Sequence, residues 1–403
     1  MKSYLTFLRR CFQAAFIGDW RYYTWLGVLT VLCFFGLNAY ANQFVSGLGT
    51  TGMTDQVSWG VYIANFTFLV GMAAAAVMLV IPVHIYKNED LHDLVIFGEL
   101  LAVAAILMCL AFVTVDLGRP DRFWHLIPGI GIFHFPGSML SWDVLVLNGY
   151  LLLNLHICGY LIYCRYCGRR PGKWFYAPFV FIGIGWAVSI HTITAFLYVG
   201  LGGRPFWNSA VLGPRFLASA FTAGPAFIIL SLQLIRRFTE YRITDKGLMA
   251  LRSIVQVAML VNLFLLVNEV FNEFYTSDRA AASSYYLFLG LHGHHALVPW
   301  IWTAVTFNVI SAVLLVLPVS RRMGWLNVAC GLAVVGIWIE KGMGMVIPGF
   351  IPTPLGEMVE YTPTLNEVLV CVGIWAFGLA CFTVFLRMTI PILTGKVSSE
   401  NAK

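Results

Sequence analysis

Apolar runs of about 20 residues alternate with short polar turns along almost the whole chain. About 20 apolar residues are what a helix needs to cross the hydrocarbon core of a bilayer. The pattern predicts ten spans, near residues 25–44, 61–85, 94–115, 140–163, 178–199, 217–235, 254–274, 296–316, 326–347 and 368–388. The stretch 285–291 reads as a short helix ahead of the eighth span. No long hydrophilic segment separates the runs. The expected fold class is therefore an all-α integral membrane protein with about ten transmembrane helices and no soluble catalytic domain of its own.

Charge placement orients the spans. One side receives Lys2, Arg9, Arg10 and Arg21, then Arg165, Arg169, Arg170 and Lys173 after the fourth span. It also receives Arg236, Arg237, Arg242, Lys246 and Arg252, then Arg321 and Arg322, then Arg387 and Lys396. The other side has few basic residues: Arg119, Arg122, Arg204, Arg215 and Arg279. The basic side is expected in the cytoplasm, with both termini there and the chain in the inner membrane. The polar, basic start precedes a run long enough to span, so no cleavable signal peptide is expected.

Composition agrees. The chain is 59% hydrophobic and 11% charged, where soluble domains carry roughly 25% charged residues. The net charge of +6 describes topology and does not point to nucleic acid. Cys164 and Cys167 form a lone CxxC, without the further ligands of a zinc or iron–sulfur site. His156 and His191 lie at unequal depths, about 10 and about 20 Å above the cytoplasmic side, so they do not bracket a haem. Neither a metal nor a haem is expected.

Some residues fit poorly in lipid. Ionisable groups within spans are costly and usually face protein or water. Asp143 begins the fourth span, and His191 lies late in the fifth. Glu269 and Glu273, one turn apart, share a face at the end of the seventh. Glu340 and Lys341 interrupt the ninth, and His292, His294 and His295 precede the eighth. Most lie in the outer half, whereas Glu99 and His156 lie nearer the cytoplasm. Chemistry is expected at the outer face, with a thin polar route inward. Two Gly-Arg-Pro turns, at Arg119 and Arg204, lie on that face. Interface anchoring, with Trp124, Trp142 and Trp207 as an aromatic belt, and a built docking surface both account for them. Trp59 and Tyr62 share a face at the start of the second span, and Asn65 lies one turn deeper. An aromatic cleft with a few placed polar groups suits a quinone ring.

These residues occur in ordered motifs: Ser58-Trp-Gly-Val-Tyr-Ile-Ala-Asn65, Asp116-Leu-Gly-Arg-Pro-Asp-Arg-Phe-Trp-His125, Ser141-Trp-Asp143, Ser189-Ile-His-Thr192, Gly203-Arg-Pro-Phe-Trp-Asn208, Pro214-Arg-Phe-Leu-Ala-Ser-Ala220 and Pro348-Gly-Phe-Ile-Pro-Thr-Pro354. The set resembles the NrfD/PsrC family, and within it the membrane subunits of DsrMKJOP-type complexes of sulfur-metabolising prokaryotes. The resemblance implies two four-helix bundles, at 59–200 and 201–352. A segment 1–22 and a first helix with its outer loop, 23–58, precede them, and a last helix and tail, 353–403, follow. It implies a quinone site, of menaquinone type, near the outer face of the first bundle. It implies an outer-face, ferredoxin-like iron–sulfur partner, other DsrMKJOP-type subunits, and no haem or iron–sulfur cluster in this chain. Electrons would pass between the quinone pool and that partner in sulfur metabolism, with proton translocation.

The expected quinone site comprises Trp59, Tyr62, Asn65, Asp116, Arg119 and Trp142. The expected proton-handling groups are Asp143, His125, His191, Glu269 and Glu273. Two rival readings stand beside this one. A secondary transporter would use broken helices, for which Pro225 and the stretch 342–354 are candidates. A purely structural anchor for outer subunits would need no quinone.

Overall fold

The computed structural model describes residues 2–84, 94–276 and 278–399. The predicted end of the second span, residue 85, lies outside the described residues.

An amphipathic helix, α1 (Lys2–Ala15), buries Phe7 and Cys11 and precedes α2 (Trp20–Ser46). Asp19 caps α2 by accepting from the Tyr22 N–H at 3.1 Å. The second span is broken: α3 (Val61–Ala73) and α4 (Ala75–His84) meet at Ala74. Then follow α5 (Val95–Asp116), α6 (Met139–Tyr166), α7 (Lys173–Val199), α8 (Leu212–Phe238) and α9 (Asp245–Thr276). The short helix ahead of the eighth span is α10 (Asp278–Phe288), and the span itself is α11 (Val298–Val316). The ninth, α12 (Met323–Trp338), passes into a π-helical turn, Ile339–Met343, then a short helix α13 (Gly344–Val346). The last is α14 (Leu365–Leu393), opened by a capping box between Thr364 and Glu367. Among the described residues ten helical stretches are long and apolar enough to cross a membrane, so the chain is a multi-pass membrane protein.

α3/α4, α5, α6 and α7 pack as one four-helix bundle, and α8, α9, α11 and α12 as a second. α3 joins them by touching both α8 and the π-helical turn. α2 and α14 flank the first bundle, with α14 against α5. Gly36 and Gly373 let α2 and α14 approach closely, since a Cβ on Gly36 would sit 2.5 Å from the Gly373 Cα. The second span and α5 form the centre, with 82% and 83% of their spanning stretches buried, against 17% for α2.

Both termini lie on one face. Arg10 donates to the Ser398 carbonyl at 2.8 Å, and the Ser399 N–H to that of Tyr166 at 2.9 Å. On the opposite face the loops are pinned by Glu367. This buried carboxylate accepts from the Gly52 N–H (2.7 Å), the Thr364 N–H (2.8 Å) and the Tyr361 hydroxyl (2.7 Å).

Candidate functional site

The loops opposite the termini open onto an aromatic wall. Trp59, half-buried just before α3, packs at 5.5 Å on Tyr198, 5.9 Å on Trp207 and 5.7 Å on Phe350. Tyr198, at the end of α7, is buried and shares a 2.5 Å hydrogen bond with Thr67. It interacts electrostatically with two acids, Asp143 and Asp116. Asp143 is buried near the start of α6 and accepts from Thr194 at 3.1 Å. Asp116 ends α5, and its Oδ1 is buried without a hydrogen-bond partner among the described residues. Tyr62 is fully buried and donates to Gln43 at 2.7 Å, and Gln43 donates to the Val115 carbonyl at 2.6 Å. Trp59, Tyr62, Asp116 and Asp143 are thus gathered around one end of the first bundle.

Asn65 has a different place. Its side-chain carbonyl accepts two indole N–H groups, from Trp375 at 2.8 Å and Trp338 at 3.0 Å. Its amide nitrogen donates to the Val61 carbonyl at 2.8 Å. The residue therefore clasps α3 to α12 and α14.

A second polar cluster crosses from bundle to bundle. Arg215, buried in the first turn of α8, pairs with Glu269 of α9 and, at 3.0 Å, with Glu340 of the π-helical turn. Asn308 and Asn262 donate to the other oxygen of Glu340, at 2.6 and 3.4 Å. Glu273 accepts from Ser284 and interacts electrostatically with Arg215. Lys341 is buried without a hydrogen-bond partner among the described residues, its ammonium 4.2 Å from the Phe216 ring centroid. It interacts electrostatically with His191 of α7, whose Nδ1 lies 3.0 Å from the Ala187 carbonyl and whose Nε2 is buried without a partner among the described residues. A π-helical turn widens the helix by one residue. Here it sets Glu340 and Lys341 into the interior side by side, and Gly342 keeps the turn against α3, where a Cβ would sit 3.1 Å from the Ala64 carbonyl.

Arg119, His125 and Trp142 are not in these clusters. Arg119 is exposed and pairs with Asp121 at 2.9 Å, while His125 stacks on Trp124 at 3.8 Å. Trp142 donates to the Pro136 carbonyl at 2.9 Å and packs against Phe135. The two Gly-Arg-Pro turns also differ. Arg204 spends its donors on the protein's own carbonyls, Phe350 at 3.1 Å and Gln56 at 3.4 Å.

Residues 49–351 match the family described as "Polysulphide reductase, NrfD". The chain belongs to the NrfD family. It is 25% identical over 393 residues to a putative dimethyl sulfoxide reductase membrane subunit of Halobacterium salinarum, covering 88% of each protein. It is 22% identical to the Hdr-like menaquinol oxidoreductase integral membrane subunit of Archaeoglobus fulgidus, covering 91% of this protein and 93% of that one. It is 20% identical over 411 residues to a selenate reductase subunit of Mesobacillus selenatarsenatis, covering 91% of this protein and 93% of that one. The matched region takes in α3 to the π-helical turn, and so both clusters of this NrfD protein. Tyr198, Thr194, Asn262 and Asn308 were not singled out by the sequence. Neutral polar residues are common in spans, and only the acids that Thr194, Asn262 and Asn308 bond, and that Tyr198 interacts with electrostatically, distinguish these four.

Proposed function

We propose that this chain is the quinone-interacting membrane subunit of a respiratory-type redox complex. It exchanges electrons between the quinone pool and an iron–sulfur partner docked on the face opposite the termini. In this reading the termini are cytoplasmic, in the inner membrane, and the loop face is the outer one. The observation that carries the reading is the oxygen of Asp116 that is buried without a hydrogen-bond partner among the described residues, on an acid that interacts electrostatically with Tyr198 of the aromatic wall. Leaving a buried acceptor unmade costs free energy, and a hydroxyl from a bound ligand would satisfy it. The residues present therefore fit a quinol: aromatic faces for the ring, and carboxylates for its hydroxyls. The Archaeoglobus relative bears menaquinol in its name, which favours a menaquinone.

A bound quinol supplies two electrons and two protons on oxidation. Trp59 and Tyr198 would orient the ring, with Tyr62 held behind them by Gln43. Asp116 would hold one hydroxyl and accept its proton, and Asp143 would receive a second through the Thr194 and Tyr198 side. His191, Lys341, Glu340, Glu269 and Glu273 extend from there into the second bundle as proton-handling groups, with Arg215 as the fixed positive charge that holds Glu269 and Glu340. Toward the termini, Glu99 lines a cavity of about 10 Å³ with Tyr150 and Asn154, room for about one water. Proton translocation inward would use it. The ordered motifs favour a DsrMKJOP-type complex of sulfur metabolism, with this chain in the place of DsrP.

The test is quenching of tryptophan fluorescence by a menaquinol analogue, with purified wild type and Asp116→Leu. Saturable binding, weakened roughly tenfold in the variant by loss of a charged hydrogen bond, supports the reading. A folded wild type that does not bind, with or without its iron–sulfur partner, overturns it and leaves a structural anchor.

A further inference from the structure

The face that carries the termini holds a cavity of its own, remote from the quinone side. It lies where α9 begins and where α11 turns into α12. Its volume is about 360 Å³, and it is lined by Asp245, Met249, Arg252, Ser253, Arg321 and Met323. Two arginines face this space. Arg252, two turns into α9, is held from behind: its Nε donates to Ser320 Oγ at 2.8 Å and its Nη2 to the Leu315 carbonyl at 2.5 Å. These bonds fix the plane of the guanidinium and leave Nη1 without a partner among the described residues. Arg321, in the turn Pro318–Arg321, is exposed, and its guanidinium makes no hydrogen bond or ion pair among the described residues. The two guanidinium groups interact electrostatically. The one acid of the lining, Asp245, is already paired with Arg236.

Two like charges held together without a counter-charge disfavour each other until an anion arrives. Guanidinium forks match the oxygens of a phosphate. The rest of the lining says which kind of phosphate. Met249 and Met323 give the cavity apolar walls. One turn deeper than Ser253 on the same face of α9 is Val257, 62% exposed, and Leu260, Val261 and Phe264 continue the exposed apolar surface. On α11, Val313 and Val316 are exposed as well. A charged mouth therefore opens above helix faces that hydrocarbon would cover. Basic pockets of this kind between transmembrane helices suit lipid head groups.

We infer that this cavity binds the phosphate of an anionic phospholipid, with Arg252 and Arg321 as its donors and the acyl chains along the exposed apolar face of α9.

Native mass spectrometry of the full-length protein in mild detergent would test this, with palmitoyl-oleoyl phosphatidylglycerol or phosphatidylcholine added. Phosphatidylglycerol should be retained in preference to phosphatidylcholine. Its retention should be about fivefold weaker in Arg321→Gln, the loss expected for one basic residue near an anionic head group. Arg170→Gln, the same charge change on an exposed loop of the other bundle, should leave retention as in wild type. Ser253→Trp fills the cavity without changing charge and should abolish the preference, with the melting temperature reporting that each variant is folded. Equal retention of the two lipids, or retention unchanged in both Arg321→Gln and Ser253→Trp, overturns the inference. Millimolar inorganic phosphate displacing phosphatidylglycerol and binding by itself would keep the phosphate site but overturn the lipid as its occupant.

Discussion

Arg215 donates to Glu340 at 3.0 Å and so ties the opening turn of α8 to the π-helical turn that ends α12. The same guanidinium holds Glu269. Removing the arginine strands two carboxylates inside the bundle, whereas Glu340→Gln removes one charge and keeps an acceptor for Asn308. Breaking a buried ion pair from one side costs about 3–5 kcal/mol. Arg215→Met should therefore melt well below wild type in detergent, and Glu340→Gln should fall between them. Equal melting of the two variants would show that Glu269 does not depend on Arg215.

The ten spans were legible because lipid imposes a 20-residue apolar run, and that signal is local. Glu269, Glu340 and Lys341 stood out for the same reason, as charges where lipid forbids them, and Arg215 as one of the few basic residues on the outer side. Their partners did not. Glu340 lies 125 residues from Arg215 and 78 from Asn262, and nothing in either stretch encodes the meeting. The break at Ala74 was also invisible, since it sits in a run that reads as continuous helix, and at 339–343 the sequence showed interrupting charges but not the π-helical turn that carries them. Trp59 and Tyr62 stood out because their spacing predicts one helix face, but α3 begins only at Val61, so Trp59 precedes it and packs on Tyr198 while Tyr62 reaches Gln43. Tyr198 was missed because it reads as one more aromatic at a span end.

Asn65 carries the next prediction. Sequence reading puts it against the quinone, and the structure gives its carbonyl to the indoles of Trp338 and Trp375. Asn65→Leu would leave the N–H donors of two half-buried indoles unmade, at up to about 1–3 kcal/mol each. The melting temperature should drop, and the near-ultraviolet tryptophan signal should change as the two indoles lose a shared acceptor. Asn65→Asp, which keeps the acceptor, should restore much of that signal. A stable Asn65→Leu with unaltered tryptophan spectra, but with lost quinol binding, would return the residue to the quinone site.

Glu360 sets the last prediction, on the loop face outside the spans. Partial burial pushes its carboxyl up. The Ala296 N–H at 3.1 Å, His294 Nδ1 at 3.2 Å and the Tyr286 hydroxyl at 3.4 Å outweigh that and hold it below its ordinary value of 4.5. A carboxyl depressed by folding adds stability above its unfolded pKa and loses it as pH falls through the folded value. The contact between the 285–296 segment and Glu360 should therefore be intact at neutral pH and weaken below about pH 4.5. Amide hydrogen exchange at Ala296 reads this locally, because that N–H is bonded to Glu360 itself. Wild type should lose protection along an acid limb, and Glu360→Gln should show lower protection at neutral pH with no such limb. An acid limb of equal size in Glu360→Gln would assign the titration to another group, because a side-chain amide has no proton to gain in this range.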